Sequence, residues 1–293
     1  MGSHFSIPPT SYDPFPGLSP LYTPHISTNP IPPNGIQHLL LSGGGTRGVA
    51  HIGVYETLLQ QKLNLRSVTG VSAGAIVALF IAIGVSPSCM RQLSYNIPTS
   101  HTFRLRYECC EESMLSFKVL REYIRSCMHA LGCDPDVTFQ YLTTICALRV
   151  VCFNRDRIME DVFSAITTPD VSVVDAVLAS CAIHHVFPPQ RLRGPAGVEA
   201  CYLDGGTRSP LGFGLAPYND RTTLLSHLMF NNRRNKAWRD ARPPVDRDRM
   251  ILVDTSSVKT PLQGLSIKDQ DILVDKGRKA TVDYYRALSV HYH

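Results

Sequence analysis

The sequence predicts a mixed α/β fold built on a mainly parallel central sheet, and three observations carry that expectation. The apolar run "IQHLLLS" (Ile36 to Ser42) has the continuous hydrophobicity of a strand buried on both faces, and it runs into a glycine turn followed by an amphipathic segment. A second apolar strand, "RSVTGV" (Arg66 to Val71), passes through a sharp turn into an apolar helix starting at Ala73. The order strand–turn–helix, met twice in succession, brings neighbouring strands together in parallel through right-handed crossovers.

The elements follow in order. Residues 1–35 hold nine of the chain's 21 prolines and read as an extended or disordered arm, distinct from a domain over 36–293. From Thr46 to Gln61 the recurrence of Val49, Ile52, Gly53, Glu56 and Leu59 has helical spacing. Helices are expected at Pro87–Tyr95 and Phe117–Ala130, the latter amphipathic through Leu120, Tyr123, Ile124, Cys127 and Met128. "LRVVCFN" reads as a strand, "SVVDAVLASCAI" as a helix entered from Asp170 or Ser172, and "VEACYLDGG" as a strand ending in a tight turn. Leu211 to Arg249 reads as a polar, arginine-rich excursion, "RMILVDTS" as the last strand, and Ile267 to Leu288 as mostly helix. With no internal repeat and no second composition regime, one domain is the economical reading.

Composition narrows the function classes. Of the 293 residues, 44% are hydrophobic and 18% charged, which describes a globular chain with a substantial core. A formal charge of +5 suits an anionic membrane surface but is too small to argue for nucleic acid, and the lone Trp238 offers no stacking series. Nine cysteines, with no C-x-x-C pair, read as free thiols of a reducing compartment, hence a cytoplasmic protein. The longest strongly apolar run, Ala73 to Val85, is too short to span a membrane, and the N-terminus does not read as a signal peptide. It does fit the permissive M-G-x-x-x-[ST] pattern through Gly2 and Ser6, which leaves myristoylation open.

The glycine turn poses a choice between cofactor and chemistry. Gly43, Gly45 and Gly48 fit G-x-G-x-x-G, the spacing of a dinucleotide-binding turn. That fingerprint needs an acidic residue about 20 positions on, at the end of the second strand. No Asp or Glu occurs between Glu56 and Glu108. The second strand ends instead in "GVSAG", Gly70 to Gly74, a G-x-S-x-G between strand and helix. Ser72 is there either a nucleophile on a sharp turn or an ordinary turn serine. "LDGG" puts Asp204 at another strand end, as either a base for that serine or a structural turn residue.

G-G-G-x-R-G after the first strand, G-x-S-x-G after the second and a later D-G-G, in that order, resemble the patatin-like phospholipase family. "DAVLASCAIHHVFPP" and "ILVDTSSV" resemble further segments of it, so that the likeness runs from about Gln37 to Tyr285. The resemblance implies a three-layer α/β/α fold and a lipid acyl hydrolase with a Ser–Asp dyad. Ser72 matches the nucleophile, Asp204 the base, and Gly43, Gly44, Gly45 and Gly48 the oxyanion loop, with Arg47 at its basic position. Arg47 would either orient a substrate phosphate or hold structure. The implied chemistry needs no cofactor and no metal; its partner is a lipid substrate at a membrane surface, with an activating protein partner left open.

Two positions depart from the family pattern. His184 and His185 stand where the family carries a proline, and Ser209 where it shows an asparagine before Pro210. The histidines are the candidates for a Ser-His-Asp triad, but the glycine loop lies only 27 residues before Ser72, counted from Gly45, unlike an α/β-hydrolase. "NNRRNKAWRDARPPVDRDR", Asn231 to Arg249, with seven basic residues, is either a membrane-docking loop or a solvated one. A catalytically lapsed lipid-binding or interaction module is the reading from another class.

Overall fold

The computed structural model describes residues 35–61, 63–97, 115–207, 222–229, 249–258 and 265–291. Its centre is a run of five parallel strands. β1 (His38–Leu41) lies between β2 (Ser67–Val71) and β7 (Thr223–Met229); β3 (Ala147–Asn154) flanks β2, and β8 (Met250–Asp254) flanks β7. Every residue of β2 is buried, as the apolar composition of a parallel strand covered on both faces requires. Three antiparallel strands complete the sheet at the β3 end: β4 (Met159–Ser164), β5 (Gln190–Arg193) and β6 (Glu199–Asp204).

The edges of β3 are used unequally. β4 pairs with it from Arg149 to Asn154, along one side. The other side is divided, because β2 pairs with Ala147–Val151 and β6 with Cys152–Asn154. A strand has only two edges, so β2 and the antiparallel β6 share one and meet there end to end. Val71 stands opposite Val151, and Asp204 opposite the next residue, Cys152.

The helices follow their local signals. A short 3-10 turn over Gly45–Val49 leads into α1 (Ala50–Gln60), and α2 (Ala73–Ala82) begins directly after Ser72. α3 (Pro87–Tyr95) opens on Ser86, whose hydroxyl accepts the Cys89 N–H, with proline in the first turn. α4 (Lys118–Ala130) follows, and α5 (Val173–Ser180) is capped by Ser172 accepting from Asp175 N–H. α6 (Ile267–His291) ends the described chain. Alternation along the strands sends Leu39, Leu41, Val150, Leu224 and Ile251 into the main core with the helices, while Leu40, Leu225 and Met250 form a smaller cluster on the opposite face.

The expected mixed α/β fold with a mainly parallel sheet is the observed one, with four local corrections. The segment read as one helix from Thr46 is a 3-10 turn followed by an α-helix. The helix read through "SVVDAVLASCAI" stops at Ser180. The hairpin strand β4 and the edge strand β5 were not foreseen, since "MEDVFS" carries two adjacent carboxylates near its start and "QRLR" alternates arginines in a four-residue stretch. The largest correction is β7, a strand beside β1 inside the stretch read as a polar excursion. Its Ser226 and His227 interrupt the apolar run, yet both are buried. The arm over 1–34, Ser209, Pro210 and residues 231–248 lie outside the described residues.

α1 and α6 cross at glycines. A Cβ on Gly53 would collide with the Val274 carbonyl, and one on Gly277 with the Ala50 carbonyl. Gly277→Ala should therefore force the helices apart at a cost on the order of 2 kcal/mol. Urea unfolding checks this; an unchanged midpoint would mean that the crossing does not limit stability.

Candidate active site

Ser72 occupies the junction between β2 and α2 with φ 53° and ψ −127°, a conformation that costs an L-residue energy and persists only when its surroundings enforce it. The glycines on either side permit the turn. A Cβ on Gly70 would overlap the backbone of Ala75, and one on Gly74 would stand 2.5 Å from the Leu41 carbonyl oxygen. The first turn of α2 is thus pressed against the end of β1, and its N-terminus opens at the serine.

The end-to-end meeting of β2 and β6 delivers Asp204 to the same place. Ser72 Oγ donates to Asp204 Oδ2 at 2.5 Å, and Asp204 Oδ1 accepts from the Gly206 N–H at 2.7 Å. Ser72 is 5% exposed and Asp204 7% exposed. Burial penalises the charged carboxylate and pushes its pKa up to about 6, while the hydrogen bonds from Ser72 and Gly206 pull it back. Cys152 and Cys181 are buried nearby, and burial together with the carboxylate pushes both thiols well up, so they stay protonated.

One residue at this junction had no role in the sequence reading. The Ser180 hydroxyl, at the last residue of α5, accepts the Ser72 N–H at 2.8 Å and donates to the Val151 carbonyl at 2.6 Å. In the sequence it is one small polar residue in an apolar helix, inside the segment that resembles the family.

The glycine loop lies on the other side of the elbow. A Cβ on Gly48 would come within 2.8 Å of Ala73 Cβ, the residue after Ser72. Gly45 has φ 55°, and among the described residues the N–H groups of Gly43, Gly44 and Gly45 find no backbone acceptor, as expected where a helical turn begins. The loop is anchored from beneath by buried polar groups. His51 Nε2 is 2.9 Å from the Ser42 carbonyl and Nδ1 is 2.8 Å from Ser226 Oγ. Burial drives the imidazole pKa down to about 4, so it is neutral, and since a carbonyl can only accept, Nε2 carries the proton. Arg47, the basic residue of the loop, directs Nε and Nη2 to the Val258 carbonyl, at 3.1 and 2.6 Å.

His184 and His185 are exposed, with their rings 3.7 Å apart. Among the described residues, neither makes a hydrogen bond to Ser72 or Asp204. No described helix is long and apolar enough to cross a membrane, and no described group of three or more His, Cys, Asp or Glu side chains could hold a metal ion.

The sequence profile described as "Patatin-like phospholipase" matches residues 39–217, more than half of the chain. The chain belongs to the patatin-like phospholipase family. It is 24% identical over 220 residues to a probable lipid hydrolase, 463L, of invertebrate iridescent virus 6, covering 72% of this chain and 69% of the viral one. It is 30% identical over 173 residues to triacylglycerol lipase 4 of Saccharomyces cerevisiae, covering 53% of this chain but only 18% of the yeast protein. Among solved structures, VipD from Legionella pneumophila superposes with a TM-score of 0.55 at 17% identity, over 86% of this chain and 67% of VipD, a likeness of fold. The patatin-like domain thus spans only part of these relatives.

The raised pKa of Asp204 makes its ionisation work against folding. The stability held by the neutral carboxyl is fully present below about pH 4 and is lost as pH rises through about 6. Raising the carboxyl from its ordinary range to about 6 amounts to about 3 kcal/mol. Asp204→Asn should accordingly melt at higher temperature than the parent at pH 8, with the difference closing towards pH 4. Melting curves at the two pH values test this, and an equal gap at both would refute the assigned burial cost.

Proposed function

We propose that this patatin-like protein is a lipid acyl hydrolase of the phospholipase A type, acting on carboxylic esters of membrane lipids through Ser72 and Asp204. The observation that carries the reading is the direct 2.5 Å hydrogen bond from Ser72 Oγ to a buried carboxylate. A serine hydroxyl is too weak an acid to attack an ester unaided and needs a base within hydrogen-bond reach. A carboxylate with pKa about 6 is a stronger proton acceptor than an ordinary one and is still ionised at neutral pH.

In this mechanism the Ser72 proton passes to Asp204 Oδ2 as Oγ bonds to the ester carbonyl carbon. The carbonyl oxygen takes up the negative charge and is received by N–H groups of Gly43, Gly44 and Gly45. Collapse breaks the bond to the alcohol oxygen, which leaves with the proton held by Asp204. Water, losing a proton to Asp204, then attacks the acyl-enzyme; the fatty acid departs and Ser72 regains its proton. The Ser72 N–H is engaged by Ser180, which supports drawing the oxyanion donors from the glycine loop.

Of the two roles open to Arg47, its paired hydrogen bonds to Val258 favour holding the loop, with a phosphate contact made only from the same anchored guanidinium. The Ser-His-Asp alternative would need an imidazole between two groups already in contact. A catalytically lapsed lipid-binding module would leave Ser72 inert to a fluorophosphonate probe. We place the reaction at a lipid surface, approached peripherally from the cytoplasm.

The test is hydrolysis of a phospholipid and a short-chain ester by the parent, Ser72→Ala, Asp204→Asn and the double variant His184→Ala/His185→Ala. The first two variants should lose about a thousandfold or more, while the histidine variant keeps activity within about tenfold. A folded histidine variant as inactive as Ser72→Ala would overturn the dyad.

The base also sets the pH dependence. Because Asp204 must be ionised, kcat/KM should fall about tenfold per pH unit below roughly pH 6 and level off above it. A limb near pH 7 that disappears in the histidine variant would assign the base elsewhere.

A further inference from the structure

We infer that Ser180 is a positioning residue for the nucleophile, holding the Ser72 turn in its attacking conformation from the end of α5. The inference rests on the Ser–Asp reading above and adds to it the group that keeps the serine where the carboxylate can use it.

Four hydrogen bonds carry it. The Ser180 hydroxyl donates its single proton to the Val151 carbonyl at 2.6 Å. With the proton committed there, its lone pairs are left to accept, and the Ser72 N–H takes one at 2.8 Å. Val151 is the last β3 residue paired with β2. A single buried hydroxyl thus bridges the nucleophile's backbone to the strand beside it. The backbone at the end of α5 and just beyond it grips the other partner: the Ser180 carbonyl accepts from the Gly205 N–H at 3.2 Å and the Ala182 carbonyl from the Asp204 N–H at 2.8 Å.

The need for such a bridge follows from the turn itself. At φ 53° the Ser72 backbone has left the strand ladder, and its N–H would otherwise be buried without a partner. A strained conformation of this kind lasts only while its surroundings impose it. Without the hydroxyl, the turn can relax by rotating the Ser72 peptide, and Oγ swings away from Asp204 Oδ2. Misplacement of a reacting atom by about 1 Å costs on the order of 100-fold in rate. Substrate binding is untouched, because Ser180 is fully buried and meets no substrate.

The experiment compares the parent, Ser180→Ala, Ser180→Thr and Val177→Ala by steady-state ester hydrolysis, fluorophosphonate labelling rate and melting temperature. Val177 is a fully buried residue of the same helix whose truncation loosens packing and leaves the hydroxyl in place. Ser180→Ala should lower kcat about 100-fold with KM within about threefold, and should slow labelling of Ser72 in parallel. Ser180→Thr, which keeps the hydroxyl, should restore most of both. Val177→Ala should melt earlier yet keep kcat within about threefold of the parent. A Ser180→Ala protein no slower than Val177→Ala would overturn the inference while leaving the hydrolase reading intact. If the threonine variant does not fold, the comparison of the two alanine variants decides. A parent that neither hydrolyses esters nor takes up the probe would instead bring down the hydrolase reading, and this inference with it.

Discussion

The site depends on one edge of β3 being shared by two strands that run towards each other. In a purely parallel sheet the strand ends that carry loops all point the same way, and two side chains at successive strand ends stand one strand spacing or more apart. Here β2 ends opposite Val151, and the antiparallel β6 ends opposite Cys152. Their last residues therefore confront one another along a single line, and Ser72 and Asp204 meet although they are separated by 132 positions in the chain. Several local features serve that junction. Gly205 lets β6 press onto the Val151 carbonyl, Gly70 and Gly74 let the chain leave β2 without a side chain in the way, and the end of α5 binds the backbone of both partners.

Such a junction has an electrostatic consequence. Among the described residues no cation stands against Asp204, and the carboxylate is supported by the Ser72 hydroxyl and the Gly206 N–H. A buried carboxylate with so little compensation is a poor structural element and a good proton acceptor. The same burial that weakens the fold above pH 6 supplies basicity that a solvated aspartate lacks. The strained backbone of Ser72 is a second cost concentrated at the same point. Both are carried by a core in which β1, β2, α2 and α5 are almost wholly buried.

How much of this could be read from the residues depended on whether a feature was local. The glycines around Ser72, the tight turn after Asp204, the helix over Pro87–Tyr95, and the apolar strands β1 and β2 are short-range patterns, and each fell where the sequence put it. β7 was not legible, because Ser226 in its middle has its partner far away in the sequence. Ser226 faces His51, and the Leu228 N–H is bound by the Ser42 hydroxyl. Taken alone, "TLLSHLM" is an interrupted apolar run inside a polar stretch. Ser180 was hidden for the same reason: its partners lie 108 and 29 positions away. The pairing of Ser72 with Asp204 was reached through the resemblance, since two turn signals by themselves do not say that the turns touch.

The position of β7 bears on the glycine loop as well as on the sheet. β1 must end where the turn after it can pack beside Ala73 of the elbow, and that end is set by neighbours on both sides. On one side Gly74 packs against the carbonyls of Leu41 and Ser42. On the other, Ser42 donates its N–H to the Ser226 carbonyl of β7, and its own carbonyl is taken by His51, which is oriented in turn by the Ser226 hydroxyl. A neutral imidazole suits this place, because it donates to one group and accepts from the other without bringing a charge into a fully buried layer. Ser226, one of the polar residues that disguised β7 as part of an excursion, thus fastens the start of the glycine loop. Its cost to legibility and its use in the fold have a single cause, the need to satisfy the backbone where β1 gives way to a turn.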